Sequence, residues 1–407
     1  MGFYDLGLLV YSGIDLGFPS VNLCVGVLAA ISVRSLKISK KIFFLSCVLF
    51  LLIVWGVASP YFLGYQSFLY SVIAAKQFMY FLFMWYVIVK KSHIDEMVIL
   101  RFAKWLGVYL AVVSIFYAVL NIGPPFYSMM GGQDRVAYSG SLSIFRVYFP
   151  TYISLSIFIF YAEWSERRIT GRSFLIWTVV LYCGVLLSGY LALSLTTALG
   201  IGILFSLDGH TRRQIIQNLI VRPFMIALIG VVVVFSSETL RSSVEQKMTS
   251  VLAGTDVALT SRDRYNEFRW RAIDERPLLG YGFLHKSSTL TADIGMNANN
   301  RFMESLGVID SGYVDLLTRF GYLGTTVYLA AFGLFLLRIF KAGAKDNVLT
   351  FAMAIFLFQY YAINYTWSVF SYAHGIIPMS LALFLILSCR EKKSAEQKFS
   401  ELSRSTS

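Results

Sequence analysis

The chain has 407 residues, of which 57% are hydrophobic and only 14% charged, and its net charge is +12. Soluble domains carry about a quarter charged residues, and a water-soluble core does not hide this much apolar surface, whereas a bilayer accepts it as solvent. The Lys and Arg lie between apolar runs rather than in one patch, which argues against nucleic acid as a partner and for the loop charge bias of a membrane protein.

In chain order, apolar runs occupy 16–33, 42–59, 67–89, 105–122, 144–162, 173–188, 191–207, 223–236, 312–337, 348–365 and 369–388. Most reach the ~17–25 residues that cross a hydrocarbon core of ~30 Å. The stretch 173–207 is too long for one span, and Ser188-Gly189-Tyr190 divides it at a tight turn. No basic segment precedes the first apolar run, so the first span is expected to stay in the mature protein. Cys24, Cys47, Cys183 and Cys389 sit inside apolar runs and read as small buried hydrophobes, not as a disulfide framework.

Orientation follows from the short connections. Arg34, Lys37, Lys40 and Lys41 follow the first run; Lys90, Lys91, Arg101 and Lys104 follow the third; Arg167, Arg168 and Arg172 follow the fifth. Arg212, Arg213 and Arg222 follow the seventh, Arg338, Lys341 and Lys345 the ninth, and Arg390, Lys392 and Lys393 the last. The alternate connections at 60–66, 123–143, 188–190 and 366–368 are nearly free of Lys and Arg. Basic connections stay cytoplasmic, which puts 237–311 outside and the C-terminus inside. The expected fold is therefore all-α, a polytopic transmembrane helix bundle of about eleven spans. Residues 3–18 would make a twelfth span and bring the N-terminus inside. Residues 1–236 hold spans 1–8, 237–311 form a large, partly helical outer loop, 312–389 hold spans 9–11, and 390–407 are a cytoplasmic tail.

The outer loop, at about 75 residues, far exceeds an ordinary connection. Leu240, Val244, Met248 and Val251 have the spacing of an amphipathic helix. A second helix is expected over 261–276, started by Thr260-x-x-Asp263 and ended by Pro277, with Tyr265, Phe268, Ala272 and Ile273 on one face. It carries Arg262, Arg264, Arg269, Arg271 and Arg276. The guanidinium fork suits phosphate or pyrophosphate, and the helix start adds free backbone donors beside Arg262 and Arg264. Arg269, Arg271 and Arg276 are expected instead to pair with Asp263, Glu267, Asp274 and Glu275 on a solvated face.

Gly280 and Gly282, in Pro277-Leu278-Leu279-Gly280-Tyr281-Gly282, permit a tight turn and close approach of a ligand to backbone. Asp310 stands at the outer mouth of the ninth span. Asp315 and Arg319 are i,i+4 within its first turns and read either as an internal ion pair or as functional groups at membrane depth. Arg135 and Arg146 are the other outward arginines. Lys76 lies about nine residues inside the third span, where a charge is costly unless it faces a cavity or snorkels to the interface. Of the histidines, His285 alone falls in the outer loop, and none of His93, His210 and His374 belongs to a metal-ligand pattern. No P-loop, GxSxG or HExxH occurs, so neither ATP hydrolysis, serine hydrolysis nor zinc proteolysis has support.

Three segments together, Ser261-Arg262, Pro277-Leu278-Leu279-Gly280-Tyr281-Gly282 and Asp310-Ser311-Gly312-Tyr313 running to Gly321-Tyr322-Leu323-Gly324, resemble the O-antigen ligase and polymerase superfamily. Ligases of that superfamily open the last motif with a His-Asn pair, and Asp310-Ser311 at this position favours the polymerase branch. The resemblance implies a glycosyltransferase of the bacterial inner membrane with a periplasmic outer loop. Such an enzyme moves a growing polysaccharide from undecaprenyl pyrophosphate onto a lipid-linked repeat unit, in O-antigen, lipopolysaccharide or exopolysaccharide biosynthesis. It would work in the lipid bilayer with a chain-length regulator and a flippase as partners, and without metal, cofactor or nucleic acid. Departing pyrophosphate needs cations and the acceptor hydroxyl needs a base. Arg262, Arg264 and Arg135 are the candidates for the first role, followed by Arg146 and Lys76. Gly280, Gly282 and Tyr313 are substrate-binding candidates as motif residues, and Asp310 is the candidate base. The alternatives are an O-antigen ligase and a transporter or flippase of lipid-linked sugars.

Overall fold

A computed structural model of the chain describes residues 40–75, 78, 80–81, 84, 86, 94–120, 135–139, 142–145, 150–188, 190–207, 249, 269–285, 288, 311–341, 347–372 and 375–388. These residues are helical apart from turns and one short hairpin. The helices are α1 (Lys40–Phe62), α2 (Phe68–Ala74), α3 (Glu96–Leu120), α4 (Pro150–Ser165), α5 (Gly171–Leu187), α6 (Leu191–Leu207), α7 (Gly312–Lys341), α8 (Val348–Ile363) and α9 (Gly375–Ser388). Within them, Glu96–Phe116 and Gly312–Arg338 are long and apolar enough to cross a membrane. The runs expected at 16–33 and 223–236 lie outside the described residues, as does the helix expected over 240–252 except for Thr249, which is helical.

Several boundaries move. α3 starts at Glu96, well before the apolar run at 105, because Arg101 and Lys104 are good helix formers and continue the helix toward its polar end. The run expected to begin at 144 instead opens in a strand. Arg135–Ser139 and Leu142–Phe145 form an antiparallel pair with Arg135 opposite Phe145, and α4 begins only at Pro150, a residue suited to a helix start. The last run begins not at 369 but at Gly375, after a series of turns through 364–372.

α4 is the hub of one half. It packs on α3, α5, α6 and α8, and all its residues from Pro150 to Glu163 are buried. Small residues allow the close approach: a Cβ on Gly107 would lie 1.9 Å from Ser156 Oγ, and one on Gly184 would lie 2.7 Å from Ala111. Side-chain caps start α5 and α8, where Thr170 accepts from Ser173 N at 3.2 Å and Asn347 from Thr350 N at 2.9 Å. In the other half α7 packs on α1 and reaches α8.

The helix ends gather at two poles. At one, the turn after α1 meets residues 281–288: Gln66 Nε2 donates to Phe283 O at 2.7 Å, and its Oε1 accepts from His285 N at 2.8 Å. Tyr190, ahead of α6, stacks on Trp367, beyond α8, at 4.2 Å, and Asn364 at the end of α8 abuts Gly312 at the start of α7. Among the described residues, these contacts involve the Lys- and Arg-poor connections at 60–66, 188–190 and 366–368. At the opposite pole Trp164 stacks on Phe174 at 5.0 Å beside Phe205, and Lys104 pairs with Glu163.

Candidate functional site

The site is built where α7 is broken. Gly321, inside α7, has φ +61 and ψ −171, a conformation that interrupts the helical hydrogen-bond ladder and suits glycine. Residues 277–283 fill the gap. Tyr281 N donates to Thr318 O at 2.9 Å and Gly282 N to Arg319 O at 2.8 Å, while Tyr322 N and Leu323 N donate to Pro277 O and Leu278 O at 2.6 and 3.1 Å. Phe283 N goes on to Gly56 O on α1 at 2.7 Å. The two motif segments are therefore hydrogen-bonded to each other, each supplying what the other's backbone lacks.

This docking explains Gly280 and Gly282. Both have positive φ, +62 and +77. A Cβ on Gly280 would lie 2.6 Å from Gly321 N, and one on Gly282 would lie 2.4 Å from Gly56 O. What approaches these glycines is the backbone of α7 and α1. Gly282 also borders the cleft described next; Gly280 does not.

A small cleft opens beside the break, lined by Arg269, Gly282, Leu284, Asp315, Thr318 and Arg319. Arg319 Nε donates to Asp315 Oδ1 at 2.9 Å, and a terminal nitrogen reaches the same oxygen at 2.9 Å. That nitrogen also donates to Tyr372 Oη at 3.3 Å. The guanidinium lies over the rings of Phe78, Phe283 and Tyr372 at 5.7, 5.5 and 5.8 Å, so both its plane and its edge are held. Arg269 enters from the helical residues 269–275 and is only 2% exposed. Thr318 Oγ1 is already committed to Val314 O at 2.7 Å.

Asp315 is 4% exposed. With Oδ1 taken twice by Arg319, its Oδ2 has no hydrogen-bond partner among the described residues. Arginine keeps its charge under all ordinary conditions. Among the described residues, the guanidinium groups of Arg269 and Arg319 and the Asp315 carboxylate line this cleft, and a guanidinium fork suits an oxyanion.

Nearby, Arg276 lies over the rings of Tyr65 and Tyr281 at 5.8 and 5.5 Å. Tyr281 Oη donates to Glu275 at 2.7 Å. Burial, reinforced by that carboxylate, holds the Tyr281 phenol well above its ordinary range. His285 stacks on Tyr70 at 4.7 Å.

The expectation that Arg269 pairs on a solvated face is corrected by its burial; Arg271 is exposed as expected. Arg269 precedes the buried Ala272 and Ile273 by three and four residues, which places it on the helix's apolar face. That spacing was the available signal. Tyr372 carried none, since it reaches Arg319 across the fold. Of the sequence candidates, Tyr313 is committed to α8, with N donating to Asn364 O at 3.2 Å and Oη to Tyr361 O. Arg135 sits at the start of the hairpin's first strand. Asp310, Arg146, Arg262, Arg264 and Lys76 lie outside the described residues.

The chain matches no known family of proteins and no curated relative.

Proposed function

We propose that this chain is a membrane glycosyltransferase, a bacterial polysaccharide polymerase. It transfers a growing glycan from undecaprenyl pyrophosphate onto a lipid-linked repeat unit at the outer face of the inner membrane. The observation that carries the reading is the cleft that Arg269, Arg319 and Asp315 line, between the two segments that resemble the polymerase motifs.

A leaving pyrophosphate gains charge as the glycosidic bond to it breaks, and fixed guanidinium groups in a site shielded from water stabilise that charge without reorganisation. Arg319 suits the task because Asp315, Tyr372 and two phenylalanine rings hold it in place before substrate arrives. Arg262, Arg264 and Arg135 are further candidates for binding the pyrophosphate, followed in preference by Arg146 and Lys76.

A bilayer setting draws support from the outward apolar side chains. Phe50 and Leu51 on α1, Tyr109 on α3, Leu199 on α6 and Phe358 on α8 are all more than half exposed, a surface water tolerates poorly and acyl chains solvate well. The scarcity of Lys and Arg in the connections at 60–66 and 366–368 supports an outward-facing site.

Deletion of the gene in its source bacterium, followed by electrophoresis of the surface polysaccharide, tests the reading. A polymerase predicts loss of the long ladder with survival of a single-repeat band, restored by the wild-type gene. Loss of both with accumulation of lipid-linked polymer would indicate a ligase, and an unchanged ladder would return the chain to transport.

A further inference from the structure

We infer that residues 277–280 dip into the outer leaflet of the bilayer and set Leu278 and Leu279 among acyl chains, so that the outer loop re-enters the membrane beside α7. The inference rests on the bilayer setting of the proposed function. Depth, side-chain chemistry and backbone hydrogen bonding of this segment agree on it.

Depth is counted from the basic helix ends. Phe283 N reaches Gly56 O on α1, and Pro277 O and Leu278 O accept from Tyr322 N and Leu323 N just beyond the break in α7. Residues 40–56 of α1 and residues 322–338 of α7 are each about 17 residues, or ~25 Å at the helical rise. Their far ends, Lys40 and Arg338, belong to the basic connections that mark the inner face. A hydrocarbon core of ~30 Å therefore extends past both contacts. Along α7 the segment descends and returns. Pro277 and Leu278 meet Tyr322 and Leu323, whereas Tyr281 and Gly282 meet Thr318 and Arg319, nearer the outer end. Leu278 marks the deepest of these contacts.

The side chains suit that depth. No residue from Pro277 to Leu284 is charged, between Arg276 on one side and His285-Lys286 on the other. Leu278 is 67% and Leu279 45% exposed, beside the exposed Tyr322 and Leu323. The ridge continues along α7 through the exposed Val327, Leu334 and Leu337, on a helix long and apolar enough to cross a membrane. One exposed leucine is ordinary, but a continuous apolar ridge on such a helix shares one apolar solvent along its length. A glycan would need hydrogen-bonding side chains here, and Leu278 and Leu279 offer none.

Non-helical backbone is tolerated at membrane depth only where its polar groups are paired within the protein. Here the carbonyls of Pro277 and Leu278 are taken by α7, Leu279 O accepts from Trp55 Nε1 at 2.9 Å, and Gly280 N donates to Arg276 O at 3.2 Å. The charge nearest the segment, on Arg276, lies back over the rings of Tyr65 and Tyr281. The cleft, lined by Gly282 and Leu284, then stands at the outer boundary of the hydrocarbon, the level of the phosphates of a lipid-linked substrate.

The test uses the full chain with Cys24, Cys47, Cys183 and Cys389 replaced by alanine, in nanodiscs of phosphatidylethanolamine and phosphatidylglycerol. A nitroxide is attached singly at Leu278→Cys, with Leu334→Cys as the acyl-chain reference and the exposed Asp274→Cys as the water reference. Power-saturation paramagnetic resonance compares collisions with oxygen, which concentrates in lipid, and with a neutral nickel chelate, which stays in water. The Leu278 label is expected to favour oxygen, as at Leu334, and to be shifted away from the nickel preference at Asp274. A Leu278 label that favours nickel overturns the inference, as does one that meets neither reagent because a second protein surface covers it. A Leu334 label that favours nickel overturns the bilayer setting itself, so the two failures are told apart. If Leu278→Cys does not accumulate, Leu279→Cys is read in its place against the same two references.

Discussion

Two buried ion pairs lie at opposite poles of this molecule, and they differ in completeness rather than in burial. Lys104 and Glu163 have side chains 13% and 10% exposed, and Arg319 and Asp315 have 13% and 6%. In the first pair the ammonium bonds both carboxylate oxygens, at 2.8 and 2.9 Å, and the cation sits over the rings of Trp105 and Phe160. Charge is balanced and no acceptor is left over. In the second pair a single oxygen takes both contacts, and Arg269 lines the same cleft. The first pair joins two helices, α3 and α4; the second lies within one helix, α7, and borders the cleft. Burial alone would have ranked the two alike.

The largest expected effect breaks the first pair. Glu163→Ala leaves a buried ammonium unpaired and should cost about 3–5 kcal/mol, read as a lower apparent melting temperature in detergent. Lys104→Met combined with Glu163→Leu should return stability to within about 1 kcal/mol of wild type and keep polymer formation, because nothing at that pole needs the charge.

Next comes the break in α7. Gly321→Ala puts a Cβ 2.3 Å from the carbonyl carbon of Leu278 in a backbone conformation that alanine resists. A loss of about 3 kcal/mol is expected by the same melting measurement, together with the activity, since the contact that undocks is the one framing the cleft.

The matching double replacement at the second pair, Arg319→Met with Asp315→Leu, separates the two poles. It should fall within about 2 kcal/mol of wild type by melting, yet form no ladder in the complementation assay. A double variant that still makes polymer would erase the distinction between the pairs.

The smallest effect is expected at Tyr281. Tyr281→Phe removes the hydrogen bond to the exposed Glu275 and should cost about 0.5–1.5 kcal/mol near neutral pH. Because burial raises the phenol in the folded state, its contribution is fully present below the ordinary tyrosine value of about 10. It is lost as pH rises from there toward the higher folded value. The phenylalanine variant should therefore lose less stability than wild type between neutral and strongly alkaline pH, as followed by alkaline melting curves.

Much of the helix inventory was legible in one dimension, because an apolar run of sufficient length folds as a helix almost regardless of its neighbours. The runs at 42–59, 173–188, 191–207 and 348–365 became α1, α5, α6 and α8 with boundaries within about three residues, the ordinary disagreement at frayed ends. The i,i+4 pairing of Asp315 with Arg319 was readable too, since helical geometry alone brings those side chains together.

Composition, hydropathy period and local spacing are one-dimensional signals, and they reached as far as a helical chain of membrane-like hydrophobicity with an ion pair in its α7 segment. What they could not reach depends on contacts between distant segments. The hairpin at 135–145 is a separate case, a local pairing of two adjacent strands where the hydropathy pattern suggested the start of a span. The break at Gly321 is stable only because residues 277–283 satisfy the freed backbone groups. The burial of Arg269 and the approach of Tyr372 bring a second guanidinium and a phenol to the cleft beside a local ion pair, and desolvation of those charges is a property of the packed fold that no local spacing encodes.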